Sequence, residues 1–493
     1  MTLAPAFTRS SRARNVERLR SETFDVLIIG GGINGAGIAR DLAMRGAKVA
    51  LVEQRHFASG TSGKNSQLIH GGLRYLKLLQ FHLVRESLHE RATLLRLAPH
   101  LVKPQPFLMP MYGWPARFFY GTGLTLYDWL AGRDNVSPHR VLPFAEVAKL
   151  EPGLALQGLT HGAIFYDCQI HSARFVIENI WEAARLGAAI VNYAQARRES
   201  GSAIVTDMLS HDAFPVRATN LVDATGAWEP GLRLVRGSHI VIPRVNASEN
   251  AVAYFEESGR IIFVIPWGSA RQLSLVGTTD VDHTNGPDNV HISAEETEYL
   301  LRTVRRLFPA ARDAEPIAAF SSLRPLVPSP GSPTTASREH RIWKADDGVV
   351  HVAGGKYTTY RVMSAEAANL ISRVESKTAS TPLGGNTRER ITELLASADV
   401  WAAQHALTPQ EVTHVIQNYG VQAPAVLAAL PDTAPAGLTR LECAQIAFAV
   451  NHEMAQNLAD VMFVSTYWGY ERKWTSENLT PFEQEIARLS TDL

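Results

Sequence analysis

Gly30, Gly32 and Gly35 stand in G-x-G-x-x-G spacing after the apolar run Asp25 to Ile29, and Glu53 closes the next apolar run, Lys48 to Val52. This pattern holds phosphates rather than making bonds. Gly30 makes a tight turn, Gly32 lets a pyrophosphate approach the backbone, and Gly35 lets the following helix pack closely on the strand. The N-terminus of that helix offers N–H donors and the positive end of a dipole. Glu53 sits where an acid grips an adenosine ribose by its hydroxyls, and a carboxylate there argues against a 2′-phosphate and so against NADP. Between FAD and NAD this stretch does not decide. The loop that follows, Arg55 to Tyr75, is rich in Ser, Thr, Gly and Asn. Its hydroxyls and amides suit phosphates or a ring system, and the cluster His70, Gly71, Gly72 and Arg74 is unusual for a merely solvated loop.

The elements that must position these residues are legible from periodicity. An Ala-rich helical pattern runs from Ile33 to Arg45 and ends at Gly46, giving strand, helix and second strand in the order of a mononucleotide-binding unit. Phe81 to Arg96 is helical, Pro104 to Pro115 extended and proline-rich, and Trp114 to Trp129 aromatic with Arg117 and Arg133 nearby. That aromatic stretch suits either a membrane interface or, by default, the packing face of a second domain. A strand–helix–strand pattern from Gly162 to Tyr193 returns the chain to the α/β sheet, as does Leu221 to Trp228. Between Gly237 and Asp280 the signals are β-rich, which predicts an antiparallel domain. Val349 to Ala353 is the last apolar strand, Thr359 to Val374 is helical, and Ser376 to Asn386 reads as a linker before an almost wholly helical remainder. The expected units are a discontinuous nucleotide-binding domain (23–100, 170–230 and 345–378), a substrate domain (101–169 and 231–344) and a helical C-terminal domain (388–493).

Composition narrows the class. At 493 residues and 45% hydrophobic content the chain can build two or three sizeable cores. Lys+Arg and Asp+Glu both total 48, so there is no electrostatic case for nucleic acid. Cys168 and Cys443 have no metal-ligand spacing and make no disulfide framework, which fits a reducing, cytoplasmic compartment. No apolar run approaches the roughly 18 residues of a membrane span. The Arg-rich start, with Arg9, Arg12, Arg14, Arg18 and Arg20 against Glu17, resembles a transit peptide in composition but lacks a clear amphipathic face. Residues 1–22 are therefore expected to be a disordered basic tail.

The segments GGGINGAGIARD, LIHGGLRYL, APHLV, GSHIVIPRV, FVIPW, GTTDV, LRPL and VAGGKYTTYR occur in this order. Together they resemble the FAD-dependent glycerol-3-phosphate dehydrogenase family, within the D-amino-acid-oxidase-like flavoproteins, over roughly residues 24 to 380. The resemblance implies an α/β fold: a Rossmann-like FAD-binding domain of the glutathione-reductase type, an antiparallel-β substrate domain and a C-terminal helical domain. It implies non-covalent FAD, with Gly30, Gly32, Ile33, Asn34 and Gly35 at the pyrophosphate and Glu53 at the ribose. Thr61, Ser62, Ser66 and Leu68 would lie along the cofactor, Thr225 and Gly226 beside it, and Gly355, Lys356 and Thr358 at the flavin end. A cationic Lys356 next to a helix N-terminus also suits negative charge on a reduced flavin. The C-terminal region departs from the family's D-x-L-x-R-R-T-like segment: here Asp460 to Thr466 reads DVMFVST, without the paired arginines.

The implied reaction is oxidation of sn-glycerol 3-phosphate to dihydroxyacetone phosphate, with electrons passed to a quinone at the inner face of the cell membrane through peripheral contact. A homodimer is one option for the assembly. A dianionic phosphate needs cations, and the motif positions supply Arg74, Arg324, Arg338 and Lys356. Arginine cannot serve as the base, so His70 and His239 are the two candidates to take the hydroxyl proton. The rival readings are an oxidase of the same fold that uses oxygen or another hydroxy or amino acid, and a flavin-binding scaffold without activity.

Overall fold

Thr23–Ile29 is buried along most of its length, which suits the central strand of a parallel sheet. In the computed structural model, which describes residues 7–77, 79–199, 202–256, 259–328 and 339–491, this strand lies between Ala213–Asp223 and Val49–Val52. Val350–Gly354 and Ala189–Val191 complete the parallel core on either side. The helix Ile33–Met44 joins the first two strands in sequence and packs against the helices Ser172–Arg185 and Tyr360–Asn369. Three glycines permit these contacts. A Cβ on Gly30, at φ 112°, would fall 2.5 Å from the Ala224 carbonyl oxygen, one on Gly35 would fall 1.9 Å from that of Gly30, and one on Gly37 would fall 2.3 Å from Ser364 Oγ.

A second sheet is mainly antiparallel. Arg233–Pro243 lies between Leu273–Gly277 and Ala318–Leu326, and Val102–Tyr112 pairs along its length with Leu159–Ile170. Its one described parallel pair joins Ala251–Phe255 to Val102–Tyr112. The helix Ala294–Leu307 covers one face, its Leu300, Leu301, Val304 and Leu307 buried against Ile240, Ile262 and Val276. Helices from Arg388–Ala396 to Ser476–Thr491 then form the C-terminal region around their own apolar cores.

The structure corrects several expectations. Residues 9–21 of the supposed disordered tail form the helix Arg9–Ser21, capped by Thr8. It docks largely through polar groups, beside the buried Val16 and Leu19: Arg12 is buried, pairs with Asp207 at 2.7 Å and donates to the Asn192 carbonyl at 2.8 Å. Hydrophobic periodicity cannot register a helix held by a guanidinium. Two strands also cross the expected domain limits. His340–Lys344, assigned to the substrate domain, pairs with Val350–Gly354 in the nucleotide-binding sheet, and Leu68–Ile69, assigned to the nucleotide-binding domain, pairs with Leu159–Ile170 in the other. His340–Lys344 is a half-polar hairpin partner and Leu68–Ile69 is only two residues long, so in both the neighbour decides the sheet.

Candidate active site

The carboxyl ends of the parallel strands open onto a cavity of about 600 Å³ that runs on to the second sheet. Ligands bind outside the carboxyl ends of such strands. Gly30, Gly32, Ile33 and Asn34 form one end of the wall, with Glu53, Thr61, Ser62, Ser66 and Leu68 beside them. Thr225 and Gly226 follow Ala224, which packs against Gly30, and they line the cavity together with Gly355 and Thr358. Gly35 stands behind the wall, where it lets the helix meet Gly30.

Each polar group at this end is already oriented. Glu53 accepts from Gly31 N–H at 2.7 Å and from Arg55 N–H at 2.9 Å. Burial raises its carboxyl above the ordinary value, against those same hydrogen bonds. Ser62 Oγ accepts from Ile33 N–H at 2.9 Å, so it caps the helix as well as lining the cavity. Thr61 donates to the Leu323 carbonyl at 2.6 Å, tying the loop to the second sheet. Thr225 donates to Asp223 at 2.6 Å. Gly32 has only Ser62 Oγ near where a Cβ would stand, at 3.1 Å, so its backbone is bare toward the cavity. This bare backbone, the acid after the second strand and the size of the cavity suit a flavin dinucleotide.

The other end is built from both sheets. His70 is fixed through its backbone, its N–H donating to Thr358 Oγ1 at 3.2 Å. Gly71 N–H donates to Tyr127 Oη at 2.9 Å and to Asp167 at 3.2 Å, and Arg91 pairs with Asp167 at 2.8 Å. The His70 ring lies 6.4 Å from that of Phe263 on the cavity wall. His239 is 2% exposed, stacked on Phe320 and hydrogen-bonded through Nε2 to Ser66 Oγ at 2.9 Å. Burial, and then the charge of Arg324, push its pKa down to about 3.

Arg74 and Arg324 meet on a protein carboxylate. Asp280 accepts from Arg74 at 3.0 Å and pairs with Arg324 at 2.9 Å. The expected reach of Lys356 differs. It lines the cavity, yet its ammonium donates to the Leu83 carbonyl at 3.2 Å and to Ser87 Oγ at 2.9 Å, and lies 4.2 Å from the centre of the Tyr75 ring. The helix Phe81–Leu97 that offers these partners is remote in sequence, so periodicity gives no sign of the contact. Arg338 lies outside the described residues. Sequence reasoning overlooked Asp280 and Thr278, although both lie in the GTTDV segment, because a search for cations around an anionic substrate passes over an acid.

A family model described as FAD dependent oxidoreductase matches residues 25–368, and one described as the C-terminal domain of alpha-glycerophosphate oxidase matches residues 376–487. A glycerol-3-phosphate dehydrogenase of Mycobacterium leprae is 35% identical over 491 residues, covering 93% of this chain and 83% of the relative. The chain belongs to the glycerol-3-phosphate dehydrogenase family of FAD-dependent oxidoreductases. An aerobic glycerol-3-phosphate dehydrogenase of Staphylococcus saprophyticus is 35% identical over 72% of this chain and 68% of its own length. Among solved structures, a glycerol-3-phosphate dehydrogenase from Bacillus halodurans complexed with FAD superposes with a TM-score of 0.76 at 25% identity, covering 98% of this chain and 97% of that one. As in the family, the cofactor is FAD and the fold is the expected flavoprotein fold with a helical C-terminal domain. At the place of the family's paired arginines stand Val464 and Ser465, both buried, and Ser465 donates to Glu453 at 2.6 Å. Arg174, from the helix Ser172–Arg185, supplies the cation for that glutamate.

Proposed function

We propose that this flavoprotein oxidises sn-glycerol 3-phosphate to dihydroxyacetone phosphate. The observation that carries the reading is the approach of Arg74 and Arg324 to one point on the cavity wall that also holds His70. Bound FAD supplies the two-electron acceptor for the C2–H bond. Arg74 and Arg324 bind the substrate phosphate, since charge-assisted contacts from guanidinium are the strong kind. His70 takes the C2 hydroxyl proton. His239 orients Ser66 instead, because a ring held near pKa 3 with Nε2 already engaged is a poor proton acceptor at neutral pH. Lys356 adds positive charge to the flavin end from its seat on Ser87. Glu53, with Gly30 to Asn34, holds the dinucleotide, and Thr61 and Ser62 keep the loop against it.

Electrons pass on to a quinone at a membrane surface. No helix among the described residues is long and apolar enough to cross a bilayer. The helix Trp114–Ala131 buries Leu124 and Tyr127 and turns Phe118, 73% exposed, and Trp129, 75% exposed, outward on one face, with Phe119 and Arg117 also exposed. Aromatic and Arg residues on an outward face suit the interfacial zone of a bilayer. The side chain of Trp114 lies outside the described residues. Anaerobic bleaching of the bound flavin by glycerol 3-phosphate tests the reaction, and flavin that stays oxidised overturns it.

A further inference from the structure

We infer that Asp280 is a positioning residue that holds Arg74 and Arg324 as a pair set for a phosphate dianion. This deepens the proposed reaction and rests on the assignment of those two arginines to the phosphate. Arg74 comes from the short helix Leu73–Lys77 of the loop after the nucleotide-binding unit, and Arg324 from the strand Ala318–Leu326 of the second sheet. Two guanidinium groups from separate elements repel one another, and a carboxylate between them offsets that repulsion. Asp280 bridges them with a different oxygen to each, Oδ2 to Arg74 at 3.0 Å and Oδ1 to Arg324 at 2.9 Å.

The carboxylate lines the same cavity but is more deeply buried than the pair. Its side chain is 3% exposed and those of both arginines are 16% exposed, so an anion entering the cavity meets guanidinium before carboxylate. Asp280 is itself anchored. The neighbouring Thr279 donates to Glu296 at 2.6 Å and accepts from Ser238 N–H at 2.9 Å, and the Asp280 carbonyl accepts from Arg260 at 3.2 Å. Arg324 is steered further by the Thr279 carbonyl at 3.1 Å and Thr278 Oγ1 at 2.9 Å. It lies over Gly237, where a Cβ would come within 2.4 Å of the guanidinium. With one charge of the pair balanced, the trio keeps a single net positive charge, which a dianion overcompensates and a neutral alcohol does not use.

The test uses the FAD-loaded protein with Asp280→Asn, which keeps size and removes charge, and Asp280→Ala. Inorganic phosphate binding is measured by calorimetry, and kcat/KM is measured for glycerol 3-phosphate and for glycerol. Losing a hydrogen-bonding partner to a charged group predicts a fall of about 10- to 100-fold in phosphate affinity and in selectivity for glycerol 3-phosphate over glycerol. In an Arg324→Ala background the same change should cost less than about 3-fold more, since coupled residues are not additive. Phosphate affinity that is unchanged or tighter overturns the inference, as do equal losses for both alcohols or a loss of flavin from both variants, which mark a structural role. Wild-type protein that binds phosphate but is not bleached by glycerol 3-phosphate overturns the proposed reaction, and the loss of phosphate affinity on changing Asp280 then still supports the positioning role.

Discussion

Two histidines line one cavity, and their surroundings assign them different tasks. His239 is enclosed, stacked and bonded to Ser66, whereas His70 is held by its backbone and turns its ring to the wall shared with Phe263. His70→Asn should slow flavin reduction by glycerol 3-phosphate about 10²- to 10⁴-fold, the range for loss of a general base, with flavin content retained. His239→Gln should slow it far less, and stopped-flow absorbance compares the two. His239 also predicts a pH effect on stability. Its folded pKa of about 3 lies below the ordinary histidine value, so between those two pH values only the unfolded chain binds the proton. Stability is therefore lost as pH falls through that window. The wild-type melting temperature should drop more steeply there than that of His239→Gln, and parallel curves would remove His239 as the source. At Arg324, truncation to Ala should cost about 2–5 kcal/mol of apparent substrate affinity, seen as lost discrimination in favour of glycerol 3-phosphate over glycerol. Equal losses for both alcohols would place Arg324 at the reacting carbon or in the fold. The arginine pair was legible from its motifs, but its partner Asp280 was not, because a side chain's ion-pair partner is set by tertiary geometry.

At the scale of elements, the strand–helix–strand unit could be read almost residue by residue, because glycine spacing and apolar periodicity both reported it. The glycines also carry the sharper test. Gly35→Ala would put a methyl 1.9 Å from the Gly30 carbonyl, so the helix must move away from the strand. We expect a loss of about 1–3 kcal/mol or more in stability, with weakened flavin retention, measured by thermal unfolding and by absorbance of the purified protein. A protein as stable and as yellow as wild type would contradict the packing argument. The N-terminal helix escapes that reading for the opposite reason: Arg9–Ser21 offers only Val16 and Leu19 to the core, and Arg12 and Asn15 also dock it by donating to carbonyl oxygens of a strand and its loop. The stretch Trp114 to Trp129 is legible as aromatic, but that it forms the helix Trp114–Ala131, and which face turns outward, needed the fold. Changing Phe118, Phe119 and Trp129 to Ser should reduce co-sedimentation with anionic vesicles, and an unchanged bound fraction would remove this face as the membrane contact.

Across the whole molecule, the C-terminal domain reaches back to the cofactor loop. Tyr467, in a left-handed conformation at φ 69°, stacks on His171 at 4.0 Å between ring centres. Its hydroxyl donates to the Gly63 carbonyl at 2.8 Å and accepts from Ala173 N–H at 3.1 Å. Gly63 lies in the same turn as Thr61 and Ser62 on the cavity wall, and Ala173 lies in the first turn of the helix that packs on Ile33–Met44. One side chain therefore joins the last domain to a turn that lines the cavity and to the helix Ser172–Arg185. Nearby, Arg174 stacks on Tyr419 at 4.2 Å and pairs with the buried Glu453, so the contact is wide as well as specific. The sequence showed a helical region after a linker but gave no sign of this reach, since neither Tyr467 nor Gly63 belongs to a periodic pattern. Tyr467→Phe keeps the ring and removes the hydroxyl, leaving a buried N–H and a buried carbonyl without that partner. Each such group costs about 1–3 kcal/mol, so the melting temperature should fall. FAD should leave faster, because the Thr61–Ser62 turn loses one of its tethers while His70 and the arginines keep theirs. Flavin fluorescence on dilution measures that release. A faster release with an unchanged rate of flavin reduction at saturating substrate is the expected outcome, and an altered reduction rate with unchanged release would place Tyr467 in the reaction instead.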